Sequence, residues 1–268
     1  MPEHGELAQW LTGNKKFQKY WQDTMKELVD RFHPALLYSD SGLPFEEEGY
    51  QPGLDAVSYL YNDSIERNGQ NQAVYTQKNR NQEIYRVGVL DIEKSQLPGV
   101  NPSPWQTDTC IGNWFYDAKQ TFKHPEQIIE MLVDIISKNG CMLLNVLQRP
   151  DGTIDAETRF ILELAKWFAV CQEGVYGTRP FRVFGEGDTR VLIEGFREDK
   201  TEWNSSDFRF TRKGNTVYAF MLKAPENRAA VIKSLKPEER VRSVRLLGAG
   251  NVEFSQYCGV LTVKLPEN

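Results

Sequence analysis

Three carboxylates stand where short apolar runs of this sequence end. Asp40 closes Leu36-Leu37-Tyr38-Ser39-Asp40, and Asp91 and Glu93 follow Tyr85-Arg86-Val87-Gly88-Val89-Leu90. A carboxylate is costly inside a core but well placed at the mouth of a sheet or barrel, so acids at strand ends are candidates for chemistry. Two carboxyl groups about 5 to 5.5 Å apart can cleave an acetal by double displacement, one attacking carbon while the other protonates the leaving oxygen and later activates water. A plainer reading accompanies each acid. Asp40 equally fits an Asx turn ahead of Gly42, and Asp91 and Glu93 equally fit a solvated charge patch with Lys94. A further candidate is residues 104–116, polar and aromatic without helical or strand period, a texture of functional loops or of disorder. Trp114, Phe115 and Tyr116 in a row favour burial and argue against disorder.

The elements that must position these groups can be read from periodicity. Phe17, Tyr20, Trp21, Met25, Leu28, Val29 and Phe32 recur at three- and four-residue steps and predict a helix over 15–32. Residues 35–38, between Pro34 and a Ser-Asp-Ser-Gly turn, read as a strand buried on both faces. A helix over 55–68, strands over 72–78 and 84–91, a helix over 125–138, a strand over 142–146 and a helix over 156–172 follow. Such alternation implies parallel βα units with their reactive groups at the C-terminal ends of the strands. About four strands are visible where a closed (β/α)8 barrel needs eight and roughly 250 residues. Residues 1–179 therefore read as half of a (β/α)8-like barrel whose upstream strands are missing. After Thr178-Arg179-Pro180 come short alternating segments at 190–195, 207–212, 215–222 and 259–264, separated by Gly, Asn and Pro turns. They predict an antiparallel β-sandwich over 180–268. The fold class is α/β, a partial barrel followed by a sandwich.

Composition narrows the classes of function. A formal charge of −5 with interleaved signs offers no basic face for nucleic acid and no polybasic membrane anchor. No run of 18 or more apolar residues occurs, and the first nine residues lack a signal-peptide pattern, so the chain reads as soluble as written. Cys110, Cys141, Cys171 and Cys258 form no C-x-x-C pair and read as buried free thiols. His4, His33 and His124 lack metal-ligand spacing, so no metal is inferred. The aromatic residues, 12% of the chain, suit packing against sugar faces but read mainly as core filler.

Three segments carry a family resemblance: HPALLYSDSGLP at 33–44, WQTDTCIGNWFY at 105–116, and GCMLLNVLQRPDGTID followed by a helix and KWFAVCQEGVYGTRP across 140–180. Over essentially its whole length the chain resembles the family-29 glycoside hydrolases, the retaining α-L-fucosidases. The resemblance implies a (β/α)8-like catalytic barrel joined to a C-terminal β-sandwich, a fucosylated glycan as substrate, and no cofactor. It makes Asp40 the nucleophile and favours Glu93, 53 positions on, as the acid/base residue, with Asp91 as runner-up. Where some members carry a Glu after the loop tryptophan this chain has Gln106, which cannot serve as an acid and so strengthens Glu93. Trp114 resembles the aromatic residue near the fucose C5 methyl group, and Lys78 or Arg80 is placed to meet a fucose hydroxyl. The family's first barrel strands have no counterpart here. An open half-barrel exposes strand edges and apolar surface, so self-association or association with the missing N-terminal half is expected. The alternative is a non-catalytic remnant that binds fucose or glycan. Relatives of full length are often exported, and the compartment of this chain is left open.

Overall fold

The computed structural model describes the whole chain except residues 1–12, 46–48, 79–85, 155–160, 192–197, 199 and 268. The chain divides into two compact units, residues 1–92 and 93–268.

In the first unit, α1 (Lys15–Phe32) opens on Asn14, whose side-chain oxygen accepts the amides of Lys16 and Phe17 at 3.0 and 3.3 Å. Such a cap contributes about 1 kcal/mol. The helix ends at His33, left-handed at φ 44°, whose amide reaches the Val29 carbonyl ahead of Pro34. Strand β1 (Leu36–Tyr38) follows, then α2 (Gln51–Asn68), which starts with proline in its first turn and stops at Gly69 with φ 74°. Strands β2 (Val74–Gln77) and β3 (Val89–Asp91) complete a parallel sheet in the order β1-β2-β3. Val29, Leu43, Val57, Leu60, Ala73 and Tyr75 form the core between the helices and this sheet.

Two expectations for this unit need correction. Strand β1 is not buried on both faces: Leu36 is 50% exposed. Among the described residues β1 pairs with β2 alone, and the face that Leu36 presents has no cover there. The strand expected over 84–91 is shorter, because Arg86, Val87 and Gly88 form a turn and only Val89–Asp91 is extended, with residues 84 and 85 outside the described set.

The second unit begins with β4 (Trp105–Cys110), a strand where a loop was expected, which raises the barrel-type strands among the described residues to five. Its polar residues hid it. All six positions are buried, and distant groups satisfy them: the Trp105 indole donates to the Lys138 carbonyl at 3.0 Å and the Thr107 hydroxyl to the Ser95 carbonyl at 2.8 Å. Helix α3 (Pro125–Ser137) leads into β5 (Gly140–Asn145), which runs parallel to β4. Gly140 is needed at that entrance, because a Cβ there would meet the Trp105 ring at 2.6 Å and Ile135 at 2.7 Å. Helix α4 (Ile161–Cys171) and a short 3-10 turn lead to the sandwich.

The sandwich has two antiparallel three-stranded sheets. One is ordered β6-β7-β8, with β6 at Arg179–Glu186, β7 at Phe208–Lys213 and β8 at Thr216–Met221. The other is ordered β12-β13-β9, with β9 at Ala229–Ile232, β12 at Phe254–Tyr257 and β13 at Val260–Lys264. A small hairpin of β10 (Arg245–Leu246) and β11 (Gly250–Asn251) flanks them. Phe208 and Phe210 meet Ala230, Ile232, Leu261 and Val263 in the core, the two-residue period of inward-facing strand positions. The expected strands over 207–212, 215–222 and 259–264 are present, while that over 190–195 falls mostly outside the described residues. Helix α3 packs on β6 and β7, where Asp134 pairs with both Lys138 and Arg209.

The cysteines are free, as expected, but not uniformly buried. Cys110 is buried and Cys171 half-buried, whereas Cys141 lies on the outward alternation of β5 and Cys258 in the turn before β13, both exposed. No helix among the described residues is long and apolar enough to cross a membrane.

Candidate active site

The parallel ladder of the first unit continues past its last strand residues. The Ser39 amide donates to the Thr76 carbonyl at 3.0 Å and the Lys78 amide to the Ser41 carbonyl at 2.7 Å, so the Asp40 turn and Lys78 are held side by side. The Asp40 side chain is 79% exposed. Its Oδ1 accepts the Tyr38 hydroxyl at 3.0 Å and lies 3.6 Å from the Lys78 ammonium. That ammonium also donates to Asp91 Oδ1 at 3.1 Å and stands 5.8 Å from the centre of the Tyr38 ring. The structure thus brings together three predicted residues, Asp40, Lys78 and Asp91, and adds Tyr38. Asp91 stands at the end of its strand, where the expected span 84–91 also ends. It is the last residue of β3 and its side chain is fully buried against Lys78. Arg80 lies outside the described residues.

In the second unit Glu93 is half-buried in a turn and is no strand continuation sharing a face with Asp91. Its Oε1 accepts the Trp114 indole N–H at 3.0 Å. Lys94, left-handed at φ 43°, donates its amide to the Asp108 carbonyl at 2.9 Å and holds its ammonium 5.0 Å from the centre of the Trp114 ring. The Trp114 carbonyl in turn accepts the side-chain amide of Asn145, the last residue of β5, at 3.1 Å. The aromatic triplet is not buried as a block. Trp114 and Tyr116 are half-buried, but Phe115 is 84% exposed because consecutive side chains cannot all turn to one surface.

Sequence reasoning did not assign Tyr38 or Asn145 a part in the site. Asn145 was legible only as one letter of a familiar stretch, and the Tyr38 hydroxyl becomes informative once the turn folds Asp40 back toward it. Burial also acts nearby: it pushes the Tyr75 phenol up to about 12.

A family model described as Alpha-L-fucosidase matches residues 3–173, and one described as Alpha-L-fucosidase C-terminal domain matches residues 200–268. The tissue alpha-L-fucosidase of Macaca fascicularis is 25% identical over 260 residues, covering 94% of this chain and 50% of the relative. That of Homo sapiens is 27% identical over 208 residues, 75% of this chain and 41% of the relative. Among solved structures, Thermotoga maritima alpha-fucosidase superposes with a TM-score of 0.68 at 21% identity, covering 94% of this chain and 53% of that one. An alpha-L-fucosidase of Bacteroides thetaiotaomicron gives 0.73 at 16% identity, with 94% and 58% covered. The chain spans about half the length of these relatives. Its fold is the partial (β/α)8-like barrel followed by an antiparallel β-sandwich that these matches share. With one family model on the strand-and-helix region and another on most of the sandwich, the chain belongs to the α-L-fucosidase family.

Proposed function

We propose that the chain supplies the reacting carboxylates of a retaining α-L-fucosidase that releases terminal α-L-fucose from a fucosylated glycan, with the catalytic region at 1–179 and the sandwich at 180–268. One observation carries the reading: every candidate among the described residues stands at or just past the C-terminal end of a parallel strand. Asp40 follows β1, Lys78 follows β2, Glu93 follows β3, and Trp114 follows β4. That is the end where barrels of this kind do their chemistry.

In the proposed reaction Asp40 attacks the anomeric carbon as the bond to the aglycone breaks, and Glu93 gives its proton to the departing oxygen. A fucosyl ester on Asp40 results. Glu93, now a carboxylate, takes a proton from water as the water oxygen attacks the same carbon and frees Asp40. Two inversions leave the configuration unchanged. Trp114 offers an apolar ring to the C5 methyl group of a 6-deoxy sugar, and Lys78 offers donors to a ring hydroxyl. The trapped covalent intermediate of the Bacteroides thetaiotaomicron enzyme with 2-fluoro-fucosyl fluoride supports double displacement in this family, and the fucose complex of the Thermotoga maritima enzyme supports the sugar.

The test is release of nitrophenol from an aryl α-L-fucoside, by the chain alone and with the remaining half of a relative added. Asp40→Ala is expected to abolish turnover, and Glu93→Ala to lower it by on the order of 10²- to 10⁴-fold. Unchanged turnover in both variants rejects the assignment. Fucose binding with no turnover under either condition replaces it with a glycan-binding role.

A further inference from the structure

Asp91 is fully buried, ion-paired to Lys78, and has no direct part in the reaction just described. A buried carboxylate is retained at a cost unless a cation meets it. Here the cation is Lys78, 3.1 Å away with a side chain 18% exposed, and the same ammonium reaches Asp40 Oδ1 at 3.6 Å. The Tyr38 hydroxyl converges on that same oxygen at 3.0 Å. One hydrogen bond, from Tyr38, and one ion-pair contact, from Lys78, on the same carboxylate oxygen bias the rotation of the group about its Cβ–Cγ bond. They also assign different work to its two oxygens: Oδ1 is held, and among the described residues no hydrogen bond reaches Oδ2.

We propose that Asp91 is a positioning residue: it anchors Lys78, which with Tyr38 grips Oδ1 of Asp40 and presents Oδ2 as the oxygen that bonds to the anomeric carbon. The inference rests on Asp40 being the nucleophile. Asp91 never meets substrate in this scheme and exchanges no proton with it. Its carboxylate replaces, for a flexible lysine, the rotamer freedom that would otherwise let the ammonium swing into solvent. Misplacing an attacking atom by about 1 Å can cost 10²-fold in rate, so orientation of this kind is a measurable contribution.

Four versions of the chain separate positioning from mere structure: wild type, Asp91→Asn, Lys78→Met, and the double variant. Acetic anhydride footprinting read by mass spectrometry reports how firmly Lys78 is held, with exposed Lys223 as the internal reference. Asp91→Asn is expected to raise Lys78 acetylation several-fold relative to Lys223. Intact-mass measurement of covalent capture by 2-fluoro-fucosyl fluoride reports the reactivity of Asp40. Capture is expected to slow about tenfold in Asp91→Asn and in Lys78→Met. The double variant removes both charges, so it regains the thermal midpoint lost in Asp91→Asn, yet its capture stays slow. Unchanged Lys78 acetylation in Asp91→Asn overturns the proposal, and so does a double variant that regains capture together with stability. If Asp91→Asn does not fold, the double variant is read against Lys78→Met: equal capture rates support the proposal, because Asp91 then acts only through Lys78, and a double variant slowed further or restored to wild-type speed overturns it. Absence of any label on the wild-type chain, both alone and with the remaining half of a relative added, refutes Asp40 as nucleophile, whereas the acetylation pattern still settles whether Asp91 holds Lys78.

Discussion

The molecule contains two three-membered charge clusters of opposite character, one carboxylate between two cations in the second unit and one cation between two carboxylates in the first. In the second unit Asp134 gives one oxygen to Arg209 and the other to Lys138, the latter at 2.6 Å. Aromatic rings close over the cations: Lys138 stands 5.1 Å from the Phe184 ring, and Arg209 stands 5.4 Å from Phe184 and 4.8 Å from Trp203. Burial holds the Lys138 ammonium below the usual lysine range, against the pull of Asp134. Both carboxylate oxygens are used and water is shut out, so this cluster can only tie α3 to the sandwich. In the first unit Asp91 and Lys78 form a similar buried tie, but the chain extends it to Asp40, which is exposed and gripped on one oxygen only. The number of charged groups, three in each, does not distinguish the two. What distinguishes them is whether an oxygen remains to meet something from outside.

That contrast breaks first at Asp40 and Asp134. Asp40→Ala is expected to remove at least 10³-fold of fucoside turnover while moving stability by no more than about 0.5 kcal/mol, as for other exposed positions. Asp134→Ala leaves two buried cations without their anion and is expected to cost about 3 to 5 kcal/mol. Thermal scans would show this as a fall on the order of 10 °C. Turnover per folded molecule should not change. A stable Asp134→Ala protein, or an Asp40→Ala protein as destabilised as Asp134→Ala, would erase the distinction between structural and available charge.

How much of this could be read beforehand differs between fold and site. The amphipathic period of 15–32, the apolar run ending at Tyr38 and the turn-separated strands of the sandwich carry local signals, and those elements stand where they were expected. Strand β4 carries none, because Gln106, Thr107, Asp108 and Thr109 are polar and yet buried. They are tolerated by partners far away in the chain, such as Ser95 for Thr107 and Glu198 for Thr109, which no local pattern can announce. The site shows the same division. Asp40 and Glu93 were found as acids past strand ends, but the tie from Asp91 to Lys78 depends on strand register. Neither the expectation that Lys78 or Arg80 meets a fucose hydroxyl nor that of Asp91 as the runner-up acid/base contains the pairing of Lys78 with Asp91. The grip of Tyr38 on Asp40 and of Asn145 on Trp114 depends on turn geometry.

A pH titration sharpens the comparison by isolating the core beneath the first cluster. The Tyr75 phenol is raised to about 12 by burial, above its ordinary value of 10.0. A folded-state value above the unfolded one means that the folded protein holds the proton more tightly. The contribution to stability is therefore full below pH 10 and is lost as pH rises from about 10 to about 12. The loss should amount to about 2 to 3 kcal/mol. Tyr75→Phe should flatten that alkaline fall, as followed by denaturant unfolding at stepped pH with tyrosinate absorbance as the second signal. An alkaline fall of the same size in Tyr75→Phe would assign it to other groups.

The smallest expected effect concerns how the two acids proposed to react are held. Asp40 is gripped partly by a cation, whereas Glu93 receives the neutral N–H of Trp114 at 3.0 Å. Trp114→Phe keeps an aromatic face for the sugar and deletes that single donor. A hydrogen bond to a carboxyl group contributes about 1.5 kcal/mol, so turnover of a fucoside with a poor leaving group should fall about tenfold. An aryl fucoside with a good leaving group needs little protonation of its departing oxygen. Its ester-forming rate should therefore fall by less than about threefold, with KM nearly unchanged because the ring still packs against the sugar. Equal losses on the two substrates, with KM raised on both, would mean that Trp114 holds fucose and has no part in orienting Glu93.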